Sequence, residues 1–208
     1  NAGFPIKVLK NRENYGLGGS HKVTFNYAIE NNFDYIIVLH GDDQGSISDM
    51  IPVLKNGAFK KYDCCLGGRF AKGSKLVGYS KFRTFGNFVF NVIFSISVGK
   101  RILDLGAGLN LYSTKMLKSK YYEKFPDNLT FNCYMLFALA SYKQTYRFVP
   151  IVWREEDQVS NVKMTRQAWQ TLKMAVSYFF GRKKFMLKDA REKKFKEYKS
   201  DVVFSSED

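Results

Sequence analysis

Residues 33–45 read Phe-Asp-Tyr-Ile-Ile-Val-Leu-His-Gly-Asp-Asp-Gln-Gly, and this stretch decides the fold. Its first half, Tyr35–Leu39, is a continuous apolar run rich in β-branched residues, which is typical of a strand buried on both faces of a parallel sheet. The run stops at the polar cluster His40–Gln44. Ligands of open α/β sheets bind just beyond the carboxyl ends of the strands, where this cluster would lie.

The polar cluster carries imidazole, carboxylate and amide groups in a row. If the strand geometry continues, His40, Asp42 and Gln44 point to one side and Asp43 to the other. Oxygen-rich ligands in this position suit a hard cation, Mg²⁺ or Mn²⁺, that holds a substrate diphosphate. On these residues alone, a turn whose Asp side chains cap the following helix is an equally good interpretation.

The composition indicates one core and a strongly basic surface. With 208 residues, 45% hydrophobic and 16% aromatic, the chain can bury a core of ordinary domain size. The formal net charge is +14 and the pI about 9.6. Such a charge favours polyanionic partners: nucleic acid, anionic lipid or phosphorylated substrates.

The cysteines argue against a metal-binding or disulfide-bonded protein, and the apolar runs argue against a membrane-spanning one. Cys64, Cys65 and Cys133 show no metal-binding spacing, and a bridge between the adjacent pair would be strained, so we expect reduced thiols in a cytosolic setting. The longest apolar stretch, residues 85–98, is interrupted by asparagine and is shorter than the ~20 residues of a membrane span. We therefore expect a chain that does not cross a bilayer by itself.

The N-terminal third predicts a strand, a glycine-rich loop, a helix and a second strand, which together form a βαβ unit. The strand covers Ile6–Leu9, the loop residues 11–20, and the helix His21–Glu30. The loop lacks the Lys-Ser/Thr ending of a P-loop. Glycines at a tight turn and a phosphate cradle are therefore both open interpretations.

Further elements follow along the chain. A buried strand over Asp63–Leu66 ends at Arg69, whose guanidinium suits phosphate. Arg83 opens a helix against the dipole preference, which indicates a role with an anion. The other predicted elements are a capped helix from Ser48 to Lys55, the helix 81–98, the helix Phe131–Tyr142 and a strand Tyr146–Val152 interrupted by Pro150.

Residues 101–108, Arg-Ile-Leu-Asp-Leu-Gly-Ala-Gly, resemble the first motif of Rossmann-type methyltransferases, which use S-adenosylmethionine. Asn110 occupies the third glycine position, and no second strand with a ribose-binding carboxylate is evident downstream. The motif Asp104–Gly108 nevertheless makes a methyltransferase an alternative function.

Two segments near the C-terminus have open interpretations. The charged run from Trp153 to Lys163 is either a solvated loop or an active-site lid that presents Arg154 and Lys163 to phosphates. From Thr165, apolar residues at helical spacing form an amphipathic stripe that stops at Gly181, followed by a basic run. The stripe fits packing on the core and a membrane surface equally well, and residues 205–208 are expected to fray.

Taken together, residues 11–163 resemble the family 2 glycosyltransferases, and within them the dolichol- or polyprenyl-phosphate sugar synthases. The matching features, in chain order, are the glycine-rich loop Asn14–Gly19, the Asp-x-Asp-x-Gln-like cluster His40–Gln44, the pair Gly68-Arg69, the helix with Arg83, the pattern Asp104-x-x-x-Gly108, and Arg154 with Ser160 and Lys163.

This resemblance implies an α/β GT-A (Rossmann-like) fold, with a mostly parallel central sheet flanked by helices and amphipathic helices at the C-terminus. Residues 1–163 would form the transferase domain and residues 164–208 a basic helical extension. Since Ile6 already matches the third strand of the family, the first strands would be missing, and we expect a fragment that does not bind its donor tightly.

The resemblance also implies an inverting transfer from a nucleotide-sugar donor with Mg²⁺ or Mn²⁺. The implied metal ligands are Asp42, Gln44 and His40, where His40 replaces the first acidic residue of the family. The implied catalytic residues are Asp42, Asp104 and Arg154. The implied donor and phosphate contacts are Gly16, Gly18, Lys22, Gln44, Arg69, Arg83, Ser160 and Lys163.

The helix in which the family carries its catalytic base has no acidic pair here, and only Asp127 lies near it. An alcohol acceptor needs such a base, whereas a lipid phosphate is already ionised. Polyprenyl phosphate is therefore the expected acceptor, and the expected location is the cytoplasmic face of the membrane, peripherally bound to anionic lipid. The non-enzymatic alternative is a polyanion-binding module, although no nucleic-acid reader motif is present and no nucleic-acid partner is expected.

Overall fold

The fold comes from a computed structural model that describes residues 3–155 and 164–206. These residues form a mixed α/β structure. Its strands are β1 (Lys7–Asn11), β2 (Tyr35–Leu39), β3 (Cys64–Gly68), β4 (Lys75–Val77), β5 (Leu109–Ser113), β6 (Tyr146–Pro150), β7 (Val152–Arg154) and β8 (Ser200–Ser205). Its helices are α1 (Gly16–Glu30), α2 (Ile51–Lys55), α3 (Lys81–Val98), α4 (Thr114–Leu117), α5 (Phe131–Ser141) and α6 (Met164–Leu187).

The central sheet has the strand order β2-β5-β3-β6. Strand β3 pairs with β6 in parallel, whereas β5 is antiparallel to both β2 and β3. The prediction of a mostly parallel sheet is therefore wrong. The reason is β5, which the sequence analysis does not assign as a strand and which lies between β2 and β3. Strands β2, β3 and β6 nevertheless share one direction, so their carboxyl ends point to the same edge of the sheet.

Alternation along the buried strands divides the core between the two faces of the sheet. Cys64 and Tyr112 face one side, where α1, α3, α5 and α6 cover the sheet. Cys65 and Leu111 face the other side, against the shorter helix α2 and residues of β7. Both faces of β3 and β5 are therefore buried.

The two ends of the chain form a separate ribbon. Strand β1 pairs with β8 in antiparallel fashion, and Arg12 forms an exposed ion pair with Asp201 at 2.7 Å. The predicted βαβ unit is therefore wrong, because β1 bonds to the C-terminal strand and not to the central sheet. The prediction that the C-terminal extension is helical holds for α6 but not for β8. Ser205, the first residue of the predicted frayed tail, ends β8, and residues 207–208 lie outside the described residues.

Helix α6 packs its inner face on the core. The ring of Tyr178 stacks on Phe137 of α5 with centroids 4.3 Å apart, and Ala175 is fully buried. Gly181 has non-helical dihedral angles and kinks the helix, which continues to Leu187 instead of stopping at the glycine. Among the described residues, no helix combines the length and apolarity needed to cross a membrane.

Candidate functional site

Polar segments from distant parts of the sequence meet at one edge of the central sheet. Strand β2 ends before His40, and β5, which runs the opposite way, begins after Gly108. The backbone N of His40 donates a hydrogen bond to the Gly108 carbonyl at 2.8 Å. A Cβ on Gly108 would lie 2.8 Å from the His40 ring, so this approach requires glycine. We call this edge the strand-end site, formed by residues 40–44, Arg69, residues 104–108 and Arg154.

Arg69 and Asp104 form a buried, two-pronged ion pair at the site. Arg69 Nε and Nη2 donate to the two Asp104 carboxylate oxygens, each at 2.7 Å, and the Arg69 backbone N donates to Oδ2 at 2.9 Å. The Gly106 backbone N also donates to Asp104, at 3.0 Å. Burial acts to lower the pKa of Arg69, but the charge and the hydrogen bonds of Asp104 together outweigh it and raise that pKa. Both Asp104 oxygens are thus engaged in holding two loops together.

A second layer of contacts joins Arg69 to the start of α3. Arg69 Nη1 donates to the Tyr79 hydroxyl at 3.3 Å, and Asn87 Nδ2 donates to the same hydroxyl at 2.7 Å. The Arg69 guanidinium also lies 5.3 Å from the Trp153 ring centre. Tyr79 and Asn87 are not among the predicted site residues, because neither belongs to a motif and their role depends on the position of Arg69.

Arg83, predicted to bind phosphate, donates a hydrogen bond to Glu155 in this structure. Arg154 approaches the polar cluster through its backbone, whose N donates to the Gln44 carbonyl at 2.9 Å, while its side chain is exposed. Strand β7 therefore connects to the loop after β2. Ser160 and Lys163, the other predicted lid residues, lie outside the described residues.

The loop after β2 presents Asp42 to solvent. Its Oδ1 accepts a hydrogen bond from the Gln44 backbone N at 3.3 Å, and Asp43 has a positive φ of 57°. Beside the loop lies an open groove of about 560 Å³ between β2 and α1. Its lining residues are Leu17, Ser20, His21, Thr24, Val38, Leu39, His40, Gly41 and Asp42. A ligand can therefore reach Asp42 from solvent.

The described residues contain no group of three or more His, Cys, Asp or Glu side chains placed to hold a metal ion. A protein-only metal cage is therefore not formed by that part of the chain. Mg²⁺ often binds through one or two carboxylates together with substrate phosphates and water. The exposed Asp42 carboxylate, whose Oδ1 accepts from the Gln44 backbone N, fits that second arrangement.

His40 lies against a second histidine of α1. The rings of His21 and His40 have centroids 5.7 Å apart, and their enclosed Nε2 atoms have no hydrogen-bond partner within the described part of the chain. His21 Nδ1 is 2.9 Å from the Leu17 carbonyl. Burial lowers the pKa of His21 to about 4 and also lowers the pKa of His40.

We expect this pair to make the fold acid-sensitive. An unfolded histidine has a pKa of about 6.5, so protons bind the unfolded chain more tightly than His21 in the fold. Stability is then lost as the pH falls from about 6.5 to about 4, by roughly 3 kcal/mol for His21. Chemical denaturation at a series of pH values measures this loss.

His21→Phe keeps an aromatic ring at this position and removes the titrating group. Its free energy of unfolding should therefore vary less with pH over this window than that of the unmodified chain. Since the sequence contains only two histidines, direct titration by NMR can assign each pKa. Equal pH slopes for the two proteins would contradict a neutral, buried His21.

The predicted phosphate cradle is filled by the protein itself. The backbone N of Gly18 donates to the Asp127 carbonyl at 2.8 Å, and a Cβ on Gly16 would lie 2.6 Å from the same oxygen. Lys22 is fully buried, and its Nζ donates to the Phe125 carbonyl, Asp127 Oδ1 and the Tyr198 hydroxyl at 2.6, 2.7 and 3.1 Å. The structure thus places Gly16, Gly18 and Lys22 against Asp127.

Comparison of the sequence with protein-family models gives no match, and comparison with curated proteins gives none.

Proposed function

We propose that the chain is an inverting glycosyltransferase that moves a sugar from a nucleotide-sugar donor to polyprenyl phosphate. One observation carries the proposal: the segments after β2 and β3 and before β5, together with β7, converge on the strand-end site. The connecting contacts are the His40–Gly108 bond at 2.8 Å, the Arg69–Asp104 pair at 2.7 Å and the Arg154–Gln44 bond at 2.9 Å. These are the segments that resemble family 2 glycosyltransferases, and the GT-A fold belongs to the same proposal.

Asp42 would bind the donor diphosphate through Mg²⁺ or Mn²⁺, with Gln44 beside it. The cation would supply charge stabilisation for the departing nucleoside diphosphate. The exposed Arg154 guanidinium is available to the same phosphates, since its backbone is fixed to Gln44. Arg69, whose guanidinium donors are used by Asp104 and Tyr79, would position the loop rather than bind phosphate itself.

Three carboxylates of the predicted segments are each paired with a cation, which favours an acceptor that is already ionised. Asp104 bonds to Arg69, Asp127 to Lys22 and Glu155 to Arg83. A carboxylate held by a cation is a poor general base, because its proton affinity is reduced. A phosphate acceptor needs no base. A peripheral position on the cytoplasmic face of the membrane is part of this proposal.

The net charge of +14 favours a second candidate, a non-enzymatic module that binds polyanions. A methyltransferase is less well supported. In dinucleotide-type folds the glycine-rich loop follows a strand, whereas residues 101–108 form no regular element and precede β5. A salt-dependent shift on random oligonucleotides without any sugar transfer would favour the polyanion module.

Asp42→Asn is expected to reduce sugar transfer to polyprenyl phosphate by about 10²–10³-fold, the usual effect of losing one electrostatic contact to developing charge. The asparagine keeps an oxygen for the Gln44 N–H, so the loop should remain folded. Transfer can be followed by mass spectrometry with a panel of nucleotide sugars and Mn²⁺.

Asp43→Asn is the matched control, since asparagine tolerates the positive φ at this position, and we expect its activity to stay within a few-fold. Full activity in Asp42→Asn would refute the proposed function. The proposal is also refuted if none of the nucleotide sugars in the panel reacts.

A further inference from the structure

Helix α3 is apolar on two opposite faces. Phe94 and Val98 point into the core and are buried. On the other side, Phe82, Phe85 and Phe88 are 74%, 67% and 60% exposed. Val89, Val92 and Ile96 continue this exposed row. At 3.6 residues per turn these six side chains fall within a sector of roughly 120°, so they form one continuous apolar stripe on the surface.

Helix α6 carries a second exposed apolar face. Helices α3 and α6 pack side by side, and Arg182 Nη2 donates to the Ser97 carbonyl near the end of α3 at 3.1 Å. Trp169, Val176 and Phe180 share the outer face of α6 and are exposed. We call the six exposed apolar residues of α3 and these three of α6 the outer platform. Nine exposed apolar side chains on two packed helices, with phenylalanine and tryptophan among them, indicate an interaction site.

The charged side chains that α3 and α6 themselves carry have one sign, and of these Arg83 is paired with Glu155. Neither α3 nor α6 contains an aspartate or a glutamate, and their basic residues are Lys81, Arg83, Arg166, Lys173, Arg182, Lys183 and Lys184. Lys173 Nζ lies 5.1 Å from the ring centre of Trp169. Three lysines and Leu187 line an open surface depression of about 610 Å³ at the end of α6: Lys183, Lys184 and Lys188.

We propose that the outer platform docks the protein on the surface of an anionic lipid bilayer. Interfacial helices insert an aromatic and aliphatic face into the headgroup region while lysine and arginine attract anionic lipid. A second copy of this chain would bring the same positive charges together, which disfavours it as the occupant.

The platform begins beside the strand-end site. Asn87, on the inner side of α3, bonds to Tyr79, which bonds to Arg69. Docking would therefore hold the strand-end site close to the lipid surface. That consequence rests on the proposed function, because it matters only for a lipid-borne acceptor; the docking itself does not depend on it.

Sedimentation with lipid vesicles tests the docking. The unmodified chain should bind vesicles of phosphatidylcholine with 30% phosphatidylglycerol far more tightly than pure phosphatidylcholine. Phe85→Glu/Phe88→Glu should lower the partition coefficient about tenfold or more, since two inserted rings are lost and two negative charges are added. Phe204→Glu, which changes a phenylalanine on β8 that is 54% exposed, should bind like the unmodified chain.

Thermal melts confirm that each variant is folded before binding is compared. Equal binding by the unmodified chain and the double variant, or no binding to anionic vesicles, overturns the proposal. The proposal is also overturned if analytical ultracentrifugation without lipid shows a dimer of the unmodified chain and a monomer of the double variant. That result would assign the outer platform to a protein interface. If the chain binds vesicles but transfers no sugar to a water-soluble prenyl phosphate, the proposed function is refuted and the proposed membrane docking is still supported.

Discussion

Asp127→Ala is expected to lower the free energy of unfolding by about 3–5 kcal/mol, because it leaves the Lys22 ammonium buried without its counter-charge. Lys22 is fully buried and Asp127 is 10% exposed at the side chain. Burial lowers the pKa of Lys22, and the Asp127 carboxylate opposes that shift. Chemical denaturation at pH 7 measures the loss.

A double-mutant cycle separates the ion pair from the packing around it. Lys22→Met/Asp127→Ala removes both charges, so its loss of stability should be clearly smaller than the sum of the losses of the two single variants. A loss below about 1 kcal/mol in Asp127→Ala would be typical of a solvated surface pair and would contradict the buried position of Lys22. Additive single losses would show that the two side chains do not interact.

Several elements can be predicted from local sequence. The apolar run Tyr35–Leu39 becomes β2, the run that starts at Lys81 becomes α3, and the strand before Arg69 becomes β3. In each case a pattern rich in apolar residues ends at polar or glycine residues, so the approximate boundaries can be predicted from the sequence. The polar groups that follow β2 and β3 are correctly placed at the edge of the sheet for the same reason.

The remaining features depend on contacts between distant residues. Strand β5 has a short mixed sequence, and its direction follows from its place between β2 and β3. Because β5 lies beside β3, Asp104, which precedes β5, bonds to Arg69, which follows β3. In the sequence Lys22 follows a predicted glycine-rich loop, a pattern typical of a phosphate ligand, whereas in the structure α1 already begins at Gly16. Its partners Asp127 and Tyr198 are 105 and 176 residues away along the chain, which no local pattern reveals.

The buried pair at the strand-end site gives the second large effect. Asp104→Asn should lower the free energy of unfolding by about 3–5 kcal/mol, since it removes the charge that compensates the buried Arg69 guanidinium. The Asp104 side chain is 1% exposed and that of Arg69 12%. Because Arg69 lies 5.3 Å from the Trp153 ring centre, the fluorescence of Trp153 should also change. Measuring it in a Trp169→Phe background leaves Trp153 as the only tryptophan.

Two further variants distinguish charge from geometry in this pair. Arg69→Lys keeps the charge but loses the planar fork that reaches both Asp104 oxygens, so it should be less stable than the unmodified chain yet more stable than Asp104→Asn. Asp201→Asn, in the exposed pair with Arg12, is the matched control and should change stability little, since such pairs are solvated and screened. If Asp104→Asn is no more destabilised than Asp201→Asn, the Arg69–Asp104 pair does not hold the strand-end site together, and the convergence on which the proposed transfer chemistry rests has no structural support.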